Sequence, residues 1–170
     1  MLIGVMSDSH DRLEAIRAAI EKFNTESVDL VLHAGDIVSP FSVREFEKLN
    51  CKIICVTGNN DGDPPTLRKF LEKFGGELKD TFFTSEVGGK RIALTHGEWP
   101  EVVEAFILSG KYDVVINGHS HEASIRKQNG VLVINPGSCS YPIVEGVVTI
   151  GKGTIVILNL EKMSAKILKI

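Results

Sequence analysis

The chain lacks the cysteine density of a disulfide-stapled fold. Its 170 residues hold three cysteines, Cys51, Cys55 and Cys139. The number is odd and no C-x-x-C occurs, so free thiols in a reducing compartment are expected. No apolar run is long enough to span a bilayer, and no secretory signal fits an N-terminus that opens directly into a strand. These absences predict a soluble, cytoplasmic protein with no membrane partner. Positive charge is not in excess either: 19 Lys and Arg stand against 22 Asp and Glu, a formal net charge of −3. That balance argues against a broad basic footprint, and no stable nucleic-acid complex is expected. No repeat, linker or low-complexity stretch divides the chain. Its length suits one domain over residues 1–170, with a core of its own.

What the chain does have is one device used five times: an apolar strand, then a ligand-type residue at its C-terminal end. Leu2–Met6 leads to Asp8 and His10, and Leu30–Leu32 to Gly35-Asp36. Ile53–Val56 leads to Gly58-Asn59-Asn60-Asp61, and Ile92–Leu94 to His96-Gly97. Val114–Ile116 leads to Gly118-His119-Ser120-His121. Open α/β sheets bind ligands beyond the carboxyl ends of their strands. The five ends would therefore bring two Asp, one Asn and four of the five His to one edge, which is a metal-site inventory. His119 and His121 are two apart, a spacing that in extended backbone points both imidazoles to one face. Gly118 before them permits a sharp turn or an unusual φ. Ionised Asp36 carries no competing donor and suits a carboxylate shared by two cations. Asn59 would offer its amide oxygen, and Asp61 would hold another ligand in place from behind. His33, inside an apolar strand, reads instead as a buried, hydrogen-bonded histidine.

Leu13, Ile16, Ile20 and Phe23 form the apolar stripe of a first helix, with Asp11 as its expected N-cap. Ser39-Pro40 opens a second, with Val43, Phe46 and Leu49 on its apolar side. Pro64-Pro65 opens a third, which Gly75-Gly76 ends. This β-α-β-α-β-α order predicts a parallel sheet with right-handed crossovers. A hairpin over 81–95, a helix near 100–109 and a strand over 113–117 follow. Short strands are expected at 123–127, 131–135, 146–150, 154–159 and 165–169, with Asn129-Gly130 as a hairpin turn. The reading is α/β in the first two thirds and mostly antiparallel β at the end.

Taken in order, Asp8-x-His10, Gly35-Asp36, Gly58-Asn59-x-Asp61, His96-Gly97 and Gly118-His119-x-His121 resemble the motifs of the calcineurin-like metallophosphoesterases. The short length and the Asn135-Pro136-Gly137-Ser138 segment resemble the small archaeal and bacterial phosphodiesterase branch. The resemblance implies an α/β fold: a four-layer α/β/β/α sandwich of two mixed sheets with flanking helices and a dinuclear metal site at strand C-terminal ends. It implies that Asp8, His10, Asp36 and His121 hold one metal, and Asp36, Asn59, His96 and His119 a second, with Asp36 bridging. Asp36, Asn59, Asp61 and His96 would be the catalytic residues. Two divalent ions per chain are implied, Mn²⁺ first, with Ni²⁺, Fe²⁺ or Zn²⁺ as alternatives. The implied reaction is hydrolysis of a small phosphodiester by in-line attack of a hydroxide held between the metals. The alternatives are a phosphomonoesterase or phosphoprotein phosphatase of the same superfamily, or a non-enzymatic scaffold on its fold.

One departure matters. Many relatives place a histidine where this chain has Asn60, so leaving groups that need protonation should be poor substrates. Trp99, Ser138 and Tyr141 follow site motifs and are candidates either to line a pocket or to pack. The late β segment offers an edge able to pair in a homo-oligomer.

Overall fold

The computed structural model describes residues 1–141 and 153–170, and the backbone of Ile143–Val144 and Val147–Val148. Strands and helices alternate through the first half: β1 (Leu2–Met6), α1 (Leu13–Thr25), β2 (Leu30–His33), α2 (Pro40–Val43), β3 (Lys52–Cys55), α3 (Pro64–Glu72) and β4 (Glu77–Leu78). Next come β5 (Phe82–Val87), β6 (Lys90–Thr95), α4 (Pro100–Leu108) and β7 (Val114–Ile116). The remainder holds β8 (Ala123–Gln128), β9 (Val131–Pro136), β10 (Ile143–Val144), β11 (Val147–Val148), β12 (Thr154–Asn159) and β13 (Ser164–Lys169).

β1, β2 and β3 are short and mostly apolar, as strands covered on both faces must be. They pair in parallel, with β4 beyond β3. The chain returns late to complete this sheet. β12 pairs antiparallel with β1, and β13 with β12, giving the order β13-β12-β1-β2-β3-β4. The second sheet has the order β5-β6-β7-β9-β8, in which β6, β7 and β9 are parallel and the two edges antiparallel.

Alternation along the strands sorts the apolar residues into three layers of packing. Ile3, Val5, Leu30 and Leu32 of the first sheet face Ile92, Leu94, Val114 and Ile116 of the second. On the outer face of the first sheet, Ile16, Ile20 and Phe23 of α1 cover Val31 and Ile53. On the outer face of the second, Val103 and Ile107 of α4 cover Ala93, Val115 and Val133. Each buried Val, Leu, Ile or Phe side chain among these contributes roughly 1.5–3 kcal/mol. Two mixed sheets face to face with helices outside give the α/β/β/α sandwich, and both present strand C-termini at one end.

Several local expectations are corrected. Arg12, not Asp11, is the N-cap of α1, with no side-chain cap bond. The Asp11 carboxylate instead accepts from the Ser39 backbone N–H and hydroxyl. That contact engages the Ser39 hydroxyl, so α2 starts at Pro40 without a side-chain cap. α2 lasts one turn and tightens into a 3₁₀ helix over Arg44–Lys48, so the apolar side expected over 43–49 is shared between two helix types. β4 is too short, at two residues, to be seen as a periodic pattern. The strand expected over 146–150 lies outside the described residues except for Val147–Val148. Cys51, Cys55 and Cys139 are all free thiols.

Candidate metal centre

The ends of β1, β2, β3, β6 and β7 meet at the seam between the sheets. Asp8 and Asp36 lie at its bottom, 0% and 1% exposed, beside the fully buried His96. His10 and His121 stand on one side of the carboxylates, their Nε2 atoms 3.3 Å apart. His96 and His119 stand on the other, with His96 Nε2 3.2 Å from His119 Nδ1 and 3.0 Å from the Asn59 amide oxygen. Asp36 Oδ2 faces both groups, 3.7 Å from His10 Nε2 and 3.4 Å from His96 Nε2. Asp8 Oδ1 lies 3.2 Å from His121 Nε2 and 3.8 Å from His10 Nε2. Two sets of ligand atoms are close enough to hold an ion: Asp8 with His10 and His121, and Asp8 with Asp36 and His96. Asp8 thus belongs to both sets.

The donor chemistry fits a cation. His96 Nδ1 is 2.7 Å from the Ala34 carbonyl, and His121 Nδ1 is 2.9 Å from the Tyr141 carbonyl. A carbonyl only accepts, so each Nδ1 carries a proton, and each ring when neutral presents its Nε2 lone pair to the site. Lone pairs on His96 and His121 therefore confront carboxylate and amide oxygens that are acceptors themselves. Asp8 Oδ1 is buried and, among the described residues, receives no hydrogen bond. Such a set needs positive charge at its centre. Without one, the carboxylates attract protons instead. Burial disfavours charge on His96, yet Asp36 and Asp8 lift it to about 9. The Asp8 carboxylate likewise raises His121, against burial. Burial pushes Asp36 up, but His96 and two hydrogen bonds from Asn60 outweigh it and hold the carboxyl well below its ordinary range. Imidazole nitrogens mixed with carboxylate and amide oxygens suit a divalent transition metal.

The surroundings fix these groups from behind. Asp61 does not reach the cluster. Its carboxylate accepts from the backbone N–H groups of Asp36, Gly58 and Val38, at 3.1, 2.7 and 2.7 Å, and so clips the Asp36 loop to the Asn59 loop. Burial raises its carboxyl, while the Val38 and Gly58 donors oppose that. His33 is fully buried. It accepts the Gly35 N–H at Nδ1, so its Nε2 donates to the Ser9 hydroxyl. Burial pushes its pKa down to about 4.

Sequence reasoning missed a third support. Ser138 and Ser140 both donate to the Asp8 carbonyl at 2.9 Å. Asn135 donates to the Gly118 carbonyl and the Ser120 hydroxyl. Ser138 is wholly buried. Trp99 is 59% exposed. Tyr141 has its ring 6.1 Å from His10 and beneath the Arg12 guanidinium.

The backbone here is unusual. Asp8, His10, Asp36, His119 and His121 all have φ between 43° and 67°, a left-handed region that costs a non-glycine residue free energy. His119 and His121 therefore do not converge by strand alternation, as their spacing suggested. β7 has ended at Ile116, and left-handed turns aim the two rings. Gly118 is not at positive φ. It is required for space, because a Cβ there would overlap the Ser7 hydroxyl and crowd Asp8 Oδ2.

The family model for the calcineurin-like phosphoesterase superfamily domain matches residues 1–163. A phosphodiesterase of Methanocaldococcus jannaschii is 47% identical over 163 residues, covering 95% of each chain. A probable metallophosphoesterase of Methanothermobacter thermautotrophicus is 32% identical, covering 99% of this chain and 92% of the other. Among solved structures, an archaeal phosphodiesterase superposes with a TM-score of 0.91 at 43% identity over the whole of both chains. Vps29 of Entamoeba histolytica, solved with zinc, shares the fold at a TM-score of 0.70 and 18% identity, covering 100% of this chain and 98% of its own. With the clustered imidazoles and carboxylates at its sheet ends, the chain belongs to the calcineurin-like phosphoesterase superfamily.

Proposed function

We propose that this chain is a divalent-metal-dependent phosphodiesterase that hydrolyses a small phosphodiester. The observation that carries the reading is the set of four imidazoles and two buried carboxylates whose lone pairs face one another. In this reading Asp8, His10, Asp36 and His121 hold one ion, and Asp36, Asn59, His96 and His119 the other. The approach of Asp36 Oδ2 to both histidine pairs supports its bridging role. Bound ions would supply Lewis acidity and a nucleophile at neutral pH; Mn²⁺ is the first expectation, with Ni²⁺, Fe²⁺ and Zn²⁺ as alternatives. The protein's own work is positioning. Ala34 and Tyr141 set the tautomers of His96 and His121, Asp61 fixes the Asp36 loop, and Ser138 and Ser140 fix Asp8.

A diester is favoured over a monoester for two reasons. The relatives of 47% and 43% identity are named as phosphodiesterases. A monoester dianion also calls for extra positive charge, and the cation in the motif loops, Arg12, rests on the Tyr141 ring. The free cysteines support a reducing compartment such as the cytoplasm, and among the described residues no helix is long and apolar enough to cross a membrane.

The test compares bis-p-nitrophenyl phosphate with p-nitrophenyl phosphate, using chelated protein with and without added Mn²⁺. Metal-restored cleavage of the diester with little of the monoester is expected. Preference for the monoester would make the protein a phosphatase. No turnover with any divalent ion in folded protein would leave it a scaffold.

A further inference from the structure

The exposed His119 is shared between two features. Its Nδ1 faces His96 in the metal centre, and the residue also heads a groove of about 450 Å³ on the outer side of the second sheet. That volume suits one small organic group. One wall is made by Pro100, Val103, Glu104 and Ile107 of α4, aliphatic except for the Glu104 carboxylate. The opposite wall is Arg126 and Gln128 of β8. Both lie across from residues that α4 covers, Arg126 opposite Val133 and Gln128 opposite Val131. β8 thus forms a polar step beside the helix.

Three chemical properties narrow what this groove would take. Asn117 lines it; among the described residues its buried amide oxygen has no donor, and its amide nitrogen reaches only the neighbouring Gly118 carbonyl, at 3.4 Å. Gln128 presents a second amide. The Arg126 guanidinium has the Gln128 side chain, at 3.4 Å, as its partner among the described residues and no carboxylate, so its planar face and donors are available. A largely aliphatic wall across from a guanidinium, with amide groups between, is a combination that grips a nucleobase: stacking on the faces and hydrogen bonds on the edge.

We propose that this groove binds a nucleoside arm of the phosphodiester, its base between the α4 wall and Arg126 and its phosphoryl group led past His119 to the metal centre. The proposal rests on the phosphodiesterase reading above. It names Arg126 and Gln128 as specificity residues, with no part in the chemistry.

The test uses two diesters with the same leaving group, thymidine 5′-(p-nitrophenyl) phosphate and methyl p-nitrophenyl phosphate, on Mn²⁺-loaded protein. The nucleoside ester should be preferred by about 10-fold or more in kcat/KM, and Arg126→Ala and the groove-filling Gln128→Trp should each reduce that preference to about 2-fold, through KM. Both variants should cleave the methyl ester as the parent protein does. No preference in the parent protein, or a preference unchanged in both variants, would overturn the proposal. If neither ester is cleaved, the phosphodiesterase reading fails, and thymidine titration followed by NMR decides the groove separately. Shifts at Arg126, Gln128 and Val103 that vanish in Gln128→Trp support it; no shifts there overturn it.

Discussion

Asn60 holds both oxygens of Asp36. Its backbone N–H donates to Oδ1 at 2.9 Å and its side-chain amide to Oδ2 at 2.7 Å. The position at which many relatives carry a histidine is here engaged in fixing the carboxylate that faces both histidine pairs. An amide cannot protonate a leaving group near neutral pH.

Asn60→His should therefore change how rate depends on the leaving group. Diesters of weakly acidic alcohols should gain about 10-fold or more in kcat relative to bis-p-nitrophenyl phosphate. Metal affinity should fall by about 10-fold, because Asp36 loses its side-chain donor. A leaving-group series read as a Brønsted plot checks this. An unchanged slope would remove Asn60 as the reason for poor turnover of such esters.

Asp36→Asn removes the negative charge of the carboxylate that faces both His10 and His96. Metal content by elemental analysis should drop for both ions, and diester cleavage should fall by at least about 100-fold. Loss of a single equivalent would assign Asp36 to one ion and leave Asp8, which belongs to both ligand-atom sets, as the bridge.

Gly118→Ala places a methyl group against the Ser7 hydroxyl and Asp8 Oδ2. Asp8 should be displaced and metal affinity reduced by about 10-fold or more, and stability should fall by about 1–3 kcal/mol from overpacking. Isothermal titration with Mn²⁺ and thermal melts measure the two effects. Parent-like values in both would mean that the loop has room that its packing denies.

His33→Gln tests acid stability. The folded protein keeps His33 neutral down to pH about 4, whereas an unfolded chain protonates it near 6.5. Its neutral state therefore costs nothing above 6.5, and stability is lost as pH falls from 6.5 toward 4, by up to about 3 kcal/mol. In metal-free protein, the slope of Tm against pH in that window should be shallower for the variant than for the parent. Metal stoichiometry should be unchanged. A lost equivalent of metal would make His33 a ligand.

How far the sequence was legible depended on what each residue touches. Asp8, Asp36, Asn59, His96, His119 and His121 stood out because their side chains carry ligand atoms and follow apolar strands. Asn135 and Ser138 were named only through the resemblance of their segment and Ser140 not at all, and the role of all three was hidden, since they act on backbone carbonyls of Asp8 and Gly118 that no side-chain pattern encodes. Asp11 had the right composition for a cap, but Ser39 from a distant loop claimed its carboxylate. The aim of His119 and His121 was hidden for a similar reason: spacing reports periodicity, whereas left-handed φ values follow from the packing around them.

The pairing of β12 with β1 carries a kinetic consequence. β1 delivers Asp8 and His10, yet its antiparallel neighbour lies more than 150 residues later, and the serines that anchor Asp8 come from beyond β9. Contacts of such sequence separation form slowly, because large loops must close before they are rewarded. A chain emerging from the ribosome thus carries Asp8 and His10 long before the strand that seats them. Seating of Asp8 and His10 is tied to the late strand β12 and not to the helices that follow β1.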